Sequence, residues 1–142
     1  MSAEQEVRAL LDERVAAVTA KDPAPLLARM ADELDSFGVT PPHRVRGREA
    51  MAAGLEAWFA GYASDIGYAV HELEVRADGD LAVATFVYAV SGTLRSGDEV
   101  DMWVRATAVL QRRAGRWLVV HQHESVPWDP TTDQGVMRPG SA

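Results

Sequence analysis

The apolar positions of this 142-residue chain change period along its length, from helical spacing near the start to alternation after about residue 67. Val7, Leu10, Leu11, Val15 and Val18 recur at helical spacing, which predicts an amphipathic helix from Ala3 to about Ala20. Asp22-Pro23 reads as an N-cap followed by a proline in the first turn, opening a short helix through Leu26, Leu27 and Met30. Asp32 to Val39 predicts a brief strand, and Pro41-Pro42 with His43, Arg44, Arg46 and Arg48 a basic loop. Met51, Leu55, Trp58, Phe59 and Tyr62 form the stripe of a third helix from about Arg48 to Tyr62.

Beyond Gly67 the period is two. It predicts strands over 68–76, 81–92, 99–112 and 116–126, with turns at Asp78-Gly79, Ser96-Gly97 and Ala114-Gly115. Helices first and a four-stranded antiparallel meander afterwards is the α+β pattern. A twisted sheet half-wrapped around helices buries one face and leaves an apolar hollow. From Pro127 onward, Pro130, Gly135, Pro139 and Gly140 read as a loop. The expected division is one domain over 1–128 and a C-terminal tail over 129–142.

Composition narrows the function classes. Hydrophobic residues at 47% and charged ones at 25% are those of a globular domain with a real core. A formal charge of −7 argues against nucleic acid or an anionic membrane as partner. The absence of cysteine excludes disulfides and thiolate chemistry and permits a cytoplasmic home, which is the expectation. The acidic start lacks the apolar stretch of a signal peptide, and no run approaches the roughly 20 residues of a membrane span.

Polar chemistry gathers at the end of the last strand, in His121-Gln122-His123-Glu124-Ser125. Strand alternation puts His121 and His123 with Trp117 and Val119, and Gln122 and Glu124 on the other side with Leu118 and Val120. Two imidazoles at this spacing suit one metal, with a third ligand needed from His71, Asp101 or Glu124. Glu124 points away, so no metal is expected, and no cofactor either. The histidines otherwise pack on the sheet with Trp103, Arg105 and Thr107, or serve as acid–base groups. Glu124 ends an apolar face whose cross-strand partners include Ala106 and Ala108, small residues that leave room for a ligand. Desolvation there would raise its pKa, as a general base needs. Arg14 interrupts the apolar stripe of the first helix and must either reach water or meet an anion. Phe37, Trp58, Phe59, Tyr62, Phe86 and Tyr88 belong on core or cavity walls. Phosphate-binding loops, dinucleotide glycine patterns and nucleophile elbows are absent.

Three segments carry a family resemblance: Val15 to Asp22, Gly47-Arg48-Glu49-Ala50-Met51, and Asp101 to Thr107 together with Gly115 to Pro127. They resemble the end of the first helix, the start of the third and the last hairpin of the SnoaL-like and ketosteroid-isomerase-like branch of the nuclear transport factor 2-like superfamily. The final Trp-to-His-x-His-x-Ser run is also similar to that of the calcium/calmodulin-dependent kinase association domain. The resemblance spans roughly residues 5 to 128. It implies a cone with three N-terminal helices packed on a curved antiparallel sheet. The implied homodimer pairs through the convex sheet face, with Trp103, Arg105 and Trp117 in the seam. The implied activity is isomerisation, polyketide-type cyclisation or dehydration of a small, apolar, oxygenated molecule. Steroid isomerisation itself is rejected. Arg14 stands where those enzymes carry a tyrosine, Gly38 at the base position, and Thr107 or Ala108 at the second acid. What remains is Glu124 or His123 as proton carrier and Arg14 or Tyr62 as oxyanion donor. The pocket would be walled by Phe37, Trp58, Phe59, Tyr62, Tyr88, Met102, Val104 and Gln122. The alternative is a non-catalytic ligand-binding or dimerisation module of the same fold.

Overall fold

The computed structural model describes residues 1–138. Pro139 and Gly140 of the predicted tail lie outside the described residues. Helix α1 (Ala3–Thr19) starts at a capping box, in which Ser2 Oγ accepts from the Gln5 backbone N–H and Gln5 Oε1 accepts from the Ser2 backbone N–H. Asp22 caps α2 (Pro23–Ala28) through the Ala24 N–H at 3.1 Å, as the Asp-Pro pair predicts. Strand β1 spans Met30–Phe37 and β2 Val45–Arg46, and α3 (Arg48–Ala60) follows Gly47. Gly47 takes φ +95° and donates its N–H to the Leu34 carbonyl at 2.7 Å, which ties the start of α3 to β1.

Strands β3 (Gly67–Asp78), β4 (Leu81–Thr93), β5 (Glu99–Arg113) and β6 (Arg116–Ser125) form the expected meander. The sheet is larger than that meander. Six strands run in the order β2-β1-β6-β5-β4-β3, and β1 lies parallel to β6. The wholly antiparallel sheet expected from the sequence is therefore a mixed one. Parallel partners separated by some eighty residues leave no local turn signal, and β2 is too short to show a period.

The tail also differs from the loop expected of it. Strand β7 (Trp128–Asp129) pairs with β8 (Gln134–Gly135). Strand β5 outruns β6, whose last pair is Arg105 with Ser125, so the Trp103 N–H has no strand partner. The Met137 carbonyl accepts it at 2.6 Å.

Alternate residues of β4, β5 and β6 point toward the helices. The resulting core centres on Leu11, Leu34, Ile66, Leu110 and Val104, each almost wholly buried. A bulge decides which residues of β6 face inward. Leu110 pairs with Val119 but Val109 with His121, so Val120 is an extra residue that shifts the alternation. Trp117 and Val119 thus share the inner face with Gln122 and Glu124. The sequence reading had placed them with the histidines, because a one-residue insertion is invisible to strict period-two counting. Trp117 is buried and donates its indole N–H to Glu6 at 2.6 Å, which removes it from any surface seam.

Candidate functional site

On the inner face, β6 presents Glu124 opposite Ala106 and Gln122 opposite Ala108. Ala106 in turn faces Phe86, and Ala108 faces Ala84. Tyr88 sits one inward step along β4, and its hydroxyl donates to Glu124 Oε2 at 2.8 Å. Tyr68 of β3 stacks on Tyr88, with ring centroids 4.9 Å apart. Arg14 reaches down from α1: its guanidinium lies 5.9 Å from the centre of the Phe86 ring and near enough to Tyr68 to act on its hydroxyl. Arg14 is buried, and no ion pair with a carboxylate forms among the described residues. The inner face therefore holds a largely buried cation, two phenols and a half-buried carboxylate.

Burial pushes both phenol pKa values far up, and the nearby Glu124 charge pushes them further, while Arg14 partly opposes the rise. Tyr68 and Tyr88 thus stay protonated at physiological pH, and Tyr88 donates to Glu124. Gln122 donates its Nε2–H to Ser36 Oγ at 3.3 Å, and its Oε1 has no partner. Ser36 is brought there by the parallel β1–β6 register, which aligns it with Gln122.

The outer face is chemically different. Asp35 receives two bonds from Arg44, at 2.7 and 3.1 Å, and lies 3.1 Å from His121 Nδ1. The Arg44 guanidinium, then His121, hold its carboxyl below the usual range. Phe37 sits among this group, edge-on to His121 at 5.4 Å and to His123 at 5.6 Å. His71 stacks on Trp103 at 4.6 Å, and Arg105 donates to Ser125 at 3.1 Å. An open groove of about 410 Å³ crosses this face between Glu72, Glu74, Arg105 and His123. No group of three or more His, Asp or Glu placed to hold a metal ion forms among the described residues.

The predicted site residues therefore divide. Arg14, Tyr88, Val104, Gln122 and Glu124 lie on the inner face, and half-buried Met102 continues it toward the end of β5. Phe37 and His123 lie on the outer face, so neither reaches the Tyr88–Glu124 pair. Neighbouring residues of one strand cannot both enter one chamber. Trp58, Phe59 and Tyr62 cluster at the end of α3, with Trp58 5.1 Å from Phe59 and 6.3 Å from Tyr62. The Tyr62 ring packs so closely on Gly92 that a Cβ there would sit 2.8 Å from it. Tyr68 and Ser36 were missed. The alternation of Tyr68 with Val70 marks Tyr68 as inward, but nothing local points to Ser36.

Residues 7–129 match the family described as SnoaL-like domain. The chain belongs to that family. Among solved structures it is similar to a nuclear transport factor 2-like protein of unknown function from Pseudomonas putida KT2440. That likeness has 27% identity, 96% of each chain covered and a TM-score of 0.85. A candidate calcium/calmodulin dependent protein kinase II association domain from Xanthomonas campestris is 25% identical, over 88% of each chain, with a TM-score of 0.75. A ketosteroid isomerase-like protein from Erwinia carotovora atroseptica shares the fold at 19% identity, over 88% of this chain and 97% of its own, with a TM-score of 0.74. No curated protein matches this chain. No helix among the described residues of this SnoaL-like chain is long and apolar enough to cross a membrane.

Proposed function

We propose that this SnoaL-like chain is a small-molecule enzyme that moves a proton next to a carbonyl group. Isomerisation, cyclisation and dehydration all begin with that step. The observation that carries this reading is Arg14. A buried guanidinium without a carboxylate is costly, and the natural way to offset it is an anion that arrives with the substrate. In the reaction Glu124 takes the proton from carbon, and the C–H electron pair becomes the C=C bond of an enolate. Negative charge then develops on the carbonyl oxygen, where Arg14 and the neutral Tyr68 hydroxyl donate to it. Tyr88 holds the Glu124 carboxylate in place. His123 and Tyr62 drop out of the earlier expectation, because one faces outward and the other packs into the α3 cluster. The half-buried Trp58 and Met102 remain candidates for the apolar walls. The acidic, cysteine-free composition favours a cytoplasmic protein.

Hydrogen–deuterium exchange tests this directly. Cyclic ketones and β-keto esters incubated with the protein in heavy water should gain deuterium beside the carbonyl, as followed by NMR. Glu124→Gln should slow the gain by about 100-fold or more. Ligands that bind without faster exchange would establish the non-catalytic module instead.

The family resemblance and the outer face together favour a homodimer. Val83, Val87, Ala89, Val109 and Trp103 leave that face more apolar than a solvated sheet surface. A second copy laid on it would cover them, with Trp103 and Arg105 in the seam and without Trp117. Sedimentation should show twice the chain mass at micromolar concentration. A single 15.4 kDa species would remove the claim.

A further inference from the structure

Gln122 carries a second message about the ligand. Its side chain is more than nine-tenths buried, yet its carboxamide oxygen meets no donor. Nearly all buried polar atoms in folded proteins are satisfied, so an orphan acceptor marks a place where something is expected. The fold does not need the amide there. The backbone of β6 is paired on both sides, with β1 and with β5. Across the sheet from Gln122 stand Ala108 and Ala84, whose methyl groups offer no donor and little bulk. Ser36 Oγ engages the other end of the carboxamide at 3.3 Å, so one end of the amide is spoken for and the other is not.

Given an acid–base site on the inner face, we propose that Gln122 reads a hydroxyl group of the substrate. Gln122 and Glu124 are two residues apart on one strand, so their anchors are separated by about 6.7 Å. The substrate is then an elongated carbonyl compound with a hydroxyl roughly that far from the carbon that loses its proton. Arg14 and Tyr68 receive the carbonyl oxygen, Glu124 the proton, and Gln122 Oε1 the hydroxyl hydrogen. A site with a buried acceptor penalises an analogue that leaves it empty, so Gln122 sets specificity rather than rate.

Matched pairs of cyclic ketones, each with and without a hydroxyl at that separation, test the assignment by calorimetric titration. The native protein should bind the hydroxylated member at least about tenfold more tightly. Gln122→Met keeps the length of the side chain and removes both polar atoms, so the preference should fall to about one. The carboxamide resonance of Gln122 should also shift with the hydroxylated member and not with its partner, a readout that needs no variant to fold. Equal binding of both members by the native protein would overturn the role of Gln122, and a buried water would then be its partner. Deuterium exchange into those same ketones would meanwhile leave the acid–base reading standing. Binding of neither member, with no exchange, would remove both.

Discussion

The two faces of the central sheet are made from the same strands, yet they handle polar groups in opposite ways. On the outer face Asp35, Arg44 and His121 meet one another beside water. Within that cluster the Asp35 carboxylate is met by Arg44, and such exposed pairs contribute little to stability. On the inner face Arg14, Tyr68, Tyr88 and Glu124 are gathered under the helices, and the cation has phenol and ring neighbours but no ion pair among the described residues. Polar groups that are costly to bury and incompletely matched point to a task other than folding. That contrast is the ground for the proposed ligand on the inner face.

Removing one ring from each face is the strongest way to break this contrast. Phe86 and Phe37 are the same residue on opposite sides. Phe86 is 4% exposed and packs under Arg14, whereas Phe37 is half-buried among the histidines. Phe86→Ala should cost about 3–5 kcal/mol in urea unfolding, the usual range for emptying a buried aromatic site. Phe37→Ala should cost less than half of that, since its neighbours already touch solvent. Equal costs would mean that the outer face is as enclosed as the inner one, as a tight dimer seam over Phe37 would make it.

Much of this arrangement is legible in the sequence, and the failures have physical causes. The helices and the meander follow from period and turn chemistry, and Arg14 stood out because a cation broke an apolar stripe. Alternation paired Gln122 with Glu124 on one side of β6 but grouped them with Leu118 and Val120, and it left open which face lines a pocket. Trp117 fell on the wrong side, because the extra Val120 inverts the parity between it and Gln122. Phe37 looked like a cavity wall because aromaticity says nothing about which face a strand residue takes. Only the parallel pairing of β1 with β6, aligning Phe37 with His123 and Ser36 with Gln122, decides that. Tyr68 shows a third kind of miss. Its role comes from a stacking partner on β4 and a guanidinium on α1, neither of which is near it in the chain.

The tyrosines sharpen the contrast by a smaller effect. All three in the chain, Tyr62, Tyr68 and Tyr88, have their pKa raised, in each case chiefly by burial. An unfolded tyrosine ionises near pH 10, so above that pH the unfolded chain releases phenol protons that the folded one keeps. Stability is therefore fully present below about pH 10 and is lost as the pH rises beyond it. Each strongly shifted phenol should steepen that loss by about 1.4 kcal/mol per pH unit. Tyr88→Phe should take away one such contribution, seen as a shallower fall of the urea midpoint with pH. Phenolate absorbance gives the companion signal: almost none from Tyr68 and Tyr88 in the folded chain at about pH 10.5, and a rise when it unfolds. Ordinary titration of Tyr68 and Tyr88 near pH 10 in the folded protein would show that water already reaches the inner face freely. Arg14 would then be a solvated arginine, and the reason to seek an anion for it would be gone.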